Sequence, residues 1–254
     1  MRIDSLVLVG ENRFGASLEL AEALGYLAAF DVPALVAAPA RPHGYRLEPA
    51  NEKLAGAADN YGDRVARLGR VDPWEGRAAL AEAERCLTVL GCRGLFLHPA
   101  EEVFPVAQAM DLLAIATGHS APVVISTGHY AQSEPLQVAE LAARWPSLPI
   151  IMTSGGQTNI SGLGMTEAWI ALRRCRNLFV MTNGVYRQDF VESLVDEFSP
   201  KRVLWASSAP LFDLKFEHAR IVSARMTASA RDEVEGLNAD RLLFAASERP
   251  WRYS

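Results

Sequence analysis

Cysteine is scarce in this sequence, whose 254 residues include only Cys86, Cys92 and Cys175. No two of these cysteines have CxxC spacing, and their number is odd. A disulfide framework or a cysteine-bound zinc site needs a larger and more closely spaced set. We therefore expect reduced, partly buried thiols of the kind found in cytoplasmic proteins, and nothing around them indicates a nucleophilic cysteine.

Basic charge and long apolar runs are also missing. The formal net charge is −5, so no overall basic field would attract nucleic acid or an anionic membrane. No apolar run approaches the roughly 18 residues that a membrane-spanning helix requires. The chain begins with a strand-like segment and has no basic stretch followed by an apolar one. We therefore expect no secretory signal and a cytoplasmic location.

The sequence does contain a regular alternation of strand-like apolar runs and segments with helical periodicity. The predicted strands are residues 3–10, 33–40, 65–71, 94–99, 122–127, 148–153, 178–182 and 202–206. The predicted helices are residues 17–30, 51–61, 75–90, 103–117, 135–145, 163–175, 188–198 and 213 to about 244. Several strands are continuous apolar runs, which is typical of strands buried on both faces of a parallel sheet.

This alternation predicts the fold class. Consecutive strand–helix units with no linker or change in composition favour one α/β domain over residues 1–254, a closed (β/α)8 TIM barrel. An open doubly wound sheet is the alternative, but no GxGxxG turn follows the first strand. In a TIM barrel the active site lies at the C-terminal ends of the strands, so candidate functional residues are sought there.

Four of the strand-end and helix motifs together resemble those of a known family. IDSLVL at residues 3–8 is similar to an opening Ile-Asp-x-His-x-His motif, and VISTG at 124–128 to a strand end with His before Thr-Gly. ASSAP at 206–210 resembles Gly-Ser-Asp-x-Pro, and NADRLL at 238–243 matches Asn-Ala-x-x-Leu-Leu. The chain thus resembles, over nearly its whole length, the amidohydrolase-related metal-dependent hydrolases and decarboxylases.

The resemblance implies a metal site whose ligands this chain lacks. The positions that correspond to the family's metal ligands are Leu6, Leu8, Ser126, Ser208 and either Ser154 or, with a register shifted by one, Thr153. A divalent transition metal needs three or four imidazole, thiolate or carboxylate donors, and leucine and neutral serine do not supply them. We therefore predict no bound metal and no other cofactor.

Three hypotheses account for the polar residues at the strand ends. In the first, small hydroxyls replace larger ligands and have no further role. In the second, a pocket binds a small polar ligand through Leu6, Leu8, His98, Ser126, Ser154, Asn183 and Ser208, with His129 beside them. In the third, Ser126 or Ser208 is a nucleophile, His98 or His129 its base, and Asp72 orients the base. No GxSxG motif supports the third hypothesis.

Other acidic and histidine residues are assigned structural or solvated positions. Asp4, in the opening motif, is expected to have a structural role, and Asp72 before a proline to cap a turn. His98 is expected to pack or to form hydrogen bonds at its strand end. We expect loop or helix-surface positions in solvent for His43, His119 and His218.

The leading functional hypothesis is a degenerate amidohydrolase barrel that binds a small polar ligand or supports an active, metal-bearing homologue in a hetero-oligomer. The alternative is a metal-independent hydrolase or decarboxylase of a small carboxylic substrate. A homo-oligomer is also compatible with the sequence, and no nucleic-acid or membrane partner is expected. Aromatic residues that could form an oligomer contact are Trp74, Tyr130, Tyr186 and Trp251.

Overall fold

The computed structural model describes residues 1–157, 163–185 and 187–245, in which parallel strands alternate with helices. The strands are β1 (Ile3–Glu11), β2 (Ser17–Leu18), β3 (Ala34–Pro39), β4 (Val65–Arg70), β5 (Gly94–Leu97), β6 (Val123–Ile125), β7 (Ile150–Met152), β8 (Leu178–Met181) and β9 (Val203–Leu204). The helices are α1 (Leu20–Ala28), α2 (Glu48–Ala58), α3 (Arg77–Thr88), α4 (Pro99–Glu102), α5 (Met110–Gly118), α6 (Pro135–Arg144), α7 (Leu163–Arg174), α8 (Gln188–Phe198), α9 (Leu214–Ser223) and α10 (Ala228–Asp232).

The sheet closes into a barrel. Its order is β2-β1-β3-β4-β5-β6-β7-β8-β9, and every pair is parallel except β1 with β2. The chain that follows β9 then hydrogen-bonds to β1. Ser5 N donates to Trp205 O at 3.1 Å, and Ser208 N donates to Leu6 O at 2.8 Å. The predicted (β/α)8 TIM barrel is confirmed.

Alternation along the strands divides the core into two layers. Side chains two residues apart share a face of a strand, so Val36 and Leu68 lie inside the barrel while Leu35 packs outward against the helices. The interior is a filled core rather than a channel, because apolar side chains from the strands meet there, among them Phe96, Ile151 and Met181.

The C-terminal segment covers the bottom of the barrel. Ala239, Leu242 and Leu243 join the interior cluster together with Ile3 from the start of β1. A π-helical turn at Glu233–Leu237 packs on the N-terminus so closely that a Cβ on Gly236 would lie 1.8 Å from Met1 O. Only glycine fits this contact. The bottom of the barrel interior is therefore filled with apolar side chains, and in this fold ligands bind at the opposite end.

Three predicted helices differ from the observed ones. The predicted helix 17–30 begins only at Leu20. Ser17 lies in β2 and pairs with Glu11 of β1, which continues beyond the barrel. The predicted helix 103–117 is divided, because Val103 adopts a left-handed conformation (φ 58°) and Pro105 has no N–H to donate. The predicted helix from residue 213 to 244 is also divided, because Ala224 is extended and Thr227 caps a new helix.

The other predicted elements have the right type with shifted ends, and several strands are shorter than expected. As expected, Cys86, Cys92 and Cys175 form no disulfide, and all three are buried. In the described residues, no helix is both long and apolar enough to cross a membrane.

Candidate functional site

A cavity of about 260 Å³ opens at the C-terminal ends of the strands. One side is formed by β1 and the loop after β9, which are neighbours in the barrel. The other side is formed by the loops after β5 to β8. The apolar wall comprises Leu6, Leu8, Phe14, Leu211 and Phe212. Arg13 lies at the rim, Phe96 on the floor and Ser208 at the junction of the two walls. The polar wall comprises His98, Glu101, Ser126, His129, Thr153, Ser154 and Asn183.

The cavity brings together the residues that were predicted from the strand ends. All seven proposed ligand-binding residues line it, and so does His129, the proposed base. Asp72 does not line the cavity. Its Oδ1 accepts a hydrogen bond from Trp74 N at 3.0 Å, which is the predicted capping role. The proposed part of Asp72 in orienting a histidine is therefore wrong, and the carboxylate beside the histidines is Glu101.

Ser126 and His129 form a polar pair in the cavity. Ser126 directly follows β6, and the loop returns His129 towards it, so that Ser126 Oγ lies 3.1 Å from His129 Nε2. Ser133 stabilises this loop by donating its hydroxyl to Ser126 O at 2.8 Å. Burial lowers the pKa of His129, with Glu101 acting in the opposite direction. The lowered pKa favours the neutral ring near pH 7, and in the tautomer with its proton on Nδ1, the Nε2 atom accepts the hydroxyl proton of Ser126.

His98 has a defined tautomer. Its Nδ1 accepts a hydrogen bond from Glu101 N at 3.2 Å, so the ring proton is on Nε2. Burial, followed by the charge of Arg70, lowers the pKa of His98 to about 3. The ring contacts the edge of Phe96, with centroids 5.8 Å apart, and its centroid is 5.7 Å from that of His129. His98 is thus a neutral N–H donor beside the proton acceptor His129.

A buried ion-pair network supports the polar wall. Arg70, at the end of β4, is fully buried and donates from Nη2 to Glu102 Oε1 at 2.7 Å and from Nη1 to Pro39 O at 3.0 Å. Arg70 also pairs with Glu101, and Arg41 donates to Glu102 at 3.0 Å. Sequence reasoning missed this network. The available signal was an arginine at the end of a predicted buried strand and two glutamates shortly after His98-Pro99.

Ser154 and Asn183 form a second polar pair across neighbouring strand ends. Ser154 N donates to Asn183 Oδ1 at 3.0 Å, and Asn183 Nδ2 donates back to Ser154 Oγ at 3.2 Å. Ser154 adopts a left-handed conformation with φ 54°. A non-glycine residue in that region is held there by its surroundings, and such residues cluster at functional sites.

Ser208 has the same unusual backbone and an unpartnered hydroxyl. Its φ is 52°, and its N–H is used in closing the barrel. The Oγ is buried against the cavity and has no hydrogen-bond partner in the part of the chain that the structure describes. A buried hydroxyl without a partner costs free energy. A ligand in the cavity would supply the missing partner.

The apolar wall is held in place by Asp4 and Phe212. Asp4 Oδ1 accepts hydrogen bonds from Leu6 N at 3.2 Å and Ser207 N at 2.9 Å, and therefore joins β1 to the chain after β9. Burial raises the pKa of Asp4 to about 6. Phe212 packs over Gly184, where a Cβ would lie 2.5 Å from the ring. Asp4 thus has the expected structural position.

The donor set does not fit a divalent metal. Leu6 and Leu8 offer no donor atom, Nδ1 of His98 is engaged by Glu101 N, and Glu101 is paired with Arg70. Over residues 1–157, 163–185 and 187–245, no three His, Cys, Asp or Glu side chains converge as a metal site requires.

The remaining histidines and aromatic residues lie away from the cavity. His43 is exposed, and His119 is partly exposed and pairs with Glu84 at 2.7 Å. The expectation that His218 is solvated is wrong, because its ring packs between Trp205 and Phe30 and is buried. The periodicity that placed His218 on a helix was right, but α9 turns that face towards the barrel. Exposed aromatic side chains include Trp74 and Tyr130, while Tyr186 and Trp251 are outside the described residues.

A TIM barrel with a polar cavity at the C-terminal ends of its strands defines a class of proteins in which ligands bind at that end. Within this class, the chain belongs to the family described as "Amidohydrolase", which matches residues 18–245. The matched region begins after β1, the strand that carries Leu6 and Leu8. None of the curated proteins matches this sequence.

Solved structures with the same fold include enzymes and an uncharacterised protein. A TIM-barrel protein from Bordetella bronchiseptica has 19% identity and a TM-score of 0.77, over 98% of this chain and 99% of that chain. The 2,6-dihydroxybenzoate decarboxylase from Rhizobium has 13% identity and a TM-score of 0.74, over 95% and 98%. The 5-carboxyvanillate decarboxylase from Sphingomonas paucimobilis has 18% identity and a TM-score of 0.70, over 89% and 83%. Identities this low establish the fold alone.

Proposed function

We propose that this protein is a metal-free member of the amidohydrolase family that binds a small, singly negative polar ligand in the cavity. The observation that carries the proposal is the contrast between the two walls. Leu6 and Leu8 occupy the strand that bears metal ligands in the resembled family, while hydrogen-bonding groups line the opposite side. A largely apolar pocket with a few convergent polar groups is the usual form of a small-molecule site.

Charge supports an anionic ligand. Glu101 is paired with Arg70, and Glu102 with Arg70 and Arg41. Arg13 lies at the rim of the cavity over the ring of Phe14, and its positive charge contributes to lowering the pKa of Glu101. A guanidinium is well matched to a carboxylate, which it can bind through two parallel hydrogen bonds. A ligand with one carboxylate at the rim and an apolar body would complement Arg13, Leu8 and Phe14.

A second candidate function is a metal-independent hydrolase or decarboxylase of a small carboxylic substrate. The pair Ser126–His129 favours this candidate, since a hydroxyl within hydrogen-bond reach of a neutral imidazole is the arrangement of an activated nucleophile. Two of the structural neighbours are named as decarboxylases of aromatic acids. The predicted homo-oligomer, or hetero-oligomer with an active homologue, stays a prediction.

Isothermal titration of the purified protein with benzoate, and with neutral benzamide as its matched analogue, tests the ligand proposal. We expect benzoate to bind and benzamide to bind at least about tenfold more weakly, which corresponds to about 1.4 kcal/mol. Arg13→Gln should remove that preference, whereas Arg173→Gln, which changes an exposed ion pair on α7, should preserve it. Equal binding of both compounds to the wild-type protein would contradict the proposal.

Elemental analysis of the same preparation, purified without chelator, tests the metal-free part. We expect far less than one equivalent of zinc, manganese or iron per chain, and no change in the benzoate affinity after treatment with a chelator. A stoichiometric ion that leaves the protein at low pH would overturn this part of the proposal, because metal affinity falls as its ligands are protonated.

A further inference from the structure

We propose that Ser126, His129 and His98 form an acyl-transfer site, in which the hydroxyl of Ser126 attacks an ester of a small carboxylic acid. The inference rests on the proposed function, because the ester must occupy the cavity that binds the ligand. It goes beyond binding by assigning a covalent reaction and a nucleophile to side chains that are already in contact.

The first observation is the geometry of Ser126 and His129. The 3.1 Å separation between Oγ and Nε2 is within hydrogen-bond reach, and both groups face the cavity. A serine hydroxyl becomes a useful nucleophile when a neutral imidazole can take its proton. Ser126 is held on the end of β6 by its own N–H, which donates to Leu97 O at 2.9 Å. The nucleophile is therefore on a rigid strand and the base on the loop above it.

The second observation is that His98 carries its ring proton on Nε2. Because Nδ1 accepts the hydrogen bond of Glu101 N, the Nε2–H is available as a donor on the polar wall. The carbonyl oxygen of a bound ester becomes negative during attack, and fixed donors stabilise that charge. Two further polar groups line the same cavity, the amide of Asn183 and the unpartnered hydroxyl of Ser208.

The third observation is that the buried ion pairs of Arg70 support His98 from behind the polar wall. Glu101 is anchored by Arg70, which Glu102 holds in turn, and the amide of Glu101 fixes the tautomer of His98. Arg70 and Glu101 are thus positioning residues, which act through His98 and do not touch the reacting atoms. The apolar wall faces this group and would accept the hydrocarbon part of the ester.

The reaction balances without metal, oxidant or cofactor. Ser126 Oγ forms a bond to the carbonyl carbon, and its proton moves to His129 Nε2. The C–O bond to the alcohol breaks, and the alcohol leaves with the proton from His129, so that an acyl-serine remains. Water then attacks the acyl carbon and gives a proton to His129, the bond between that carbon and Ser126 Oγ breaks, and His129 returns the proton to Oγ, which releases the carboxylic acid and regenerates free Ser126.

The experiment uses the full-length protein and p-nitrophenyl acetate. Stopped-flow absorbance should show a burst of p-nitrophenol, and mass spectrometry of the quenched protein should locate an acetyl group on Ser126. Ser126→Ala should abolish the adduct and the burst, and His129→Ala should lower kcat by about 100-fold or more with little change in KM. Ser223→Ala, an exposed serine whose hydroxyl donates to Ala219 O in α9, should leave both unchanged.

A pH profile separates a base from a merely structural histidine. The wild-type rate should fall in acid as His129 is protonated, and this limb should be absent from the residual rate of His129→Ala. His98→Gln tests the donor role, and we expect a lower kcat with the acid limb retained. If His129→Ala keeps the acid limb, His129 is not the base and the inference is wrong.

Benzoate titration distinguishes failure of the inference from failure of the proposed function. If the wild-type protein binds benzoate but shows neither burst nor adduct, acyl transfer is wrong while ligand binding stands. If benzoate does not bind either, both fail. Benzoate binding by Ser126→Ala shows that this variant is folded, so its loss of the adduct supports the inference. An adduct on any residue other than Ser126 in the wild-type protein overturns it.

Discussion

The two walls of the cavity are built on different principles. The polar wall is supported by a continuous network of charges, in which Arg70 holds both Glu101 and Glu102. Behind the apolar wall lies the buried carboxyl of Asp4, whose Oδ1 accepts hydrogen bonds from the backbone N–H groups of Leu6 and Ser207. The polar wall therefore fixes the directions of its hydrogen bonds, while the apolar wall fixes the shape of the cavity. A ligand is therefore expected to be oriented on one side and accommodated on the other.

The largest expected effect comes from placing metal ligands on both walls of the cavity. The combined change Leu6→His, Leu8→His, Ser126→His, Ser154→His and Ser208→Asp should bring Zn²⁺ affinity from undetectable to micromolar, about 8 kcal/mol of binding free energy. Competition with a chelating dye measures it. The matched control keeps Leu6 and Leu8 and changes only the three serines, and it should bind zinc far more weakly. Equal affinities would show that the two leucines do not occupy ligand positions.

The next largest effect concerns the polar wall. Arg70→Met leaves Glu101 without its buried partner and Glu102 with Arg41 alone, and breaking such a pair typically costs about 3–5 kcal/mol of the free energy of unfolding. Urea unfolding at pH 7 measures the loss. Arg173→Met removes an exposed ion pair on α7 and should have a much smaller effect. A similar midpoint for the two variants would mean that the network does not hold the wall together.

The buried Asp4, which supports the apolar wall, predicts that the stability of the protein falls as the pH rises. Burial raises the pKa of Asp4 from 3.8 to about 6, so the folded state binds the proton more tightly than the unfolded state. The contribution of Asp4 to stability is thus complete below about pH 4 and is lost as the pH rises through 6. Between these values the wild-type protein should lose on the order of 2 kcal/mol more than Asp4→Asn in urea unfolding.

Glu217 titrates in the same range, because burial raises its pKa to about 7 and the charge of Asp4 contributes to that rise. The wild-type protein and Asp4→Asn are therefore compared in a Glu217→Gln background, which isolates Asp4. Parallel curves of unfolding free energy against pH for the wild-type protein and Asp4→Asn would contradict the assignment.

The smallest effect concerns the junction of the walls. Ser208→Gly should stabilise the protein by a few tenths of a kcal/mol, because relief of a left-handed serine, about 1–2 kcal/mol, outweighs the entropic cost of glycine, about 0.5–1 kcal/mol. Ser207→Gly is the matched control. Its hydroxyl accepts from Ala209 N at 3.0 Å and is buried, so that variant should be less stable. Thermal unfolding compares the two, and a destabilised Ser208→Gly would argue against backbone strain at this position.

The barrel itself could be predicted because its signal is local and repeated. Continuous apolar runs, each followed by helical periodicity, indicate parallel strands buried on both faces, and strand ends locate the mouth. The paired charges could not be predicted in this way. Arg70 and Glu102 are separated by 32 positions in sequence, and their contact depends on how β4 and the loop after β5 meet in space. The predicted helix 17–30 wrongly included Ser17 for a similar reason, because the pairing of Ser17 with Glu11 outweighs the helical periodicity of the residues that follow it.

The sequence alone determined the order of strands and helices, the resemblance to the amidohydrolases and the absence of imidazole at the first strand, because each depends on neighbouring residues. Only the tertiary structure decided that Ser126 lies against His129, that His98 keeps its proton on Nε2 and that Glu101 rather than Asp72 stands beside them. The physical reason is that hydrogen-bond direction and burial depend on the surroundings of a side chain. Those surroundings come from segments that are distant along the chain.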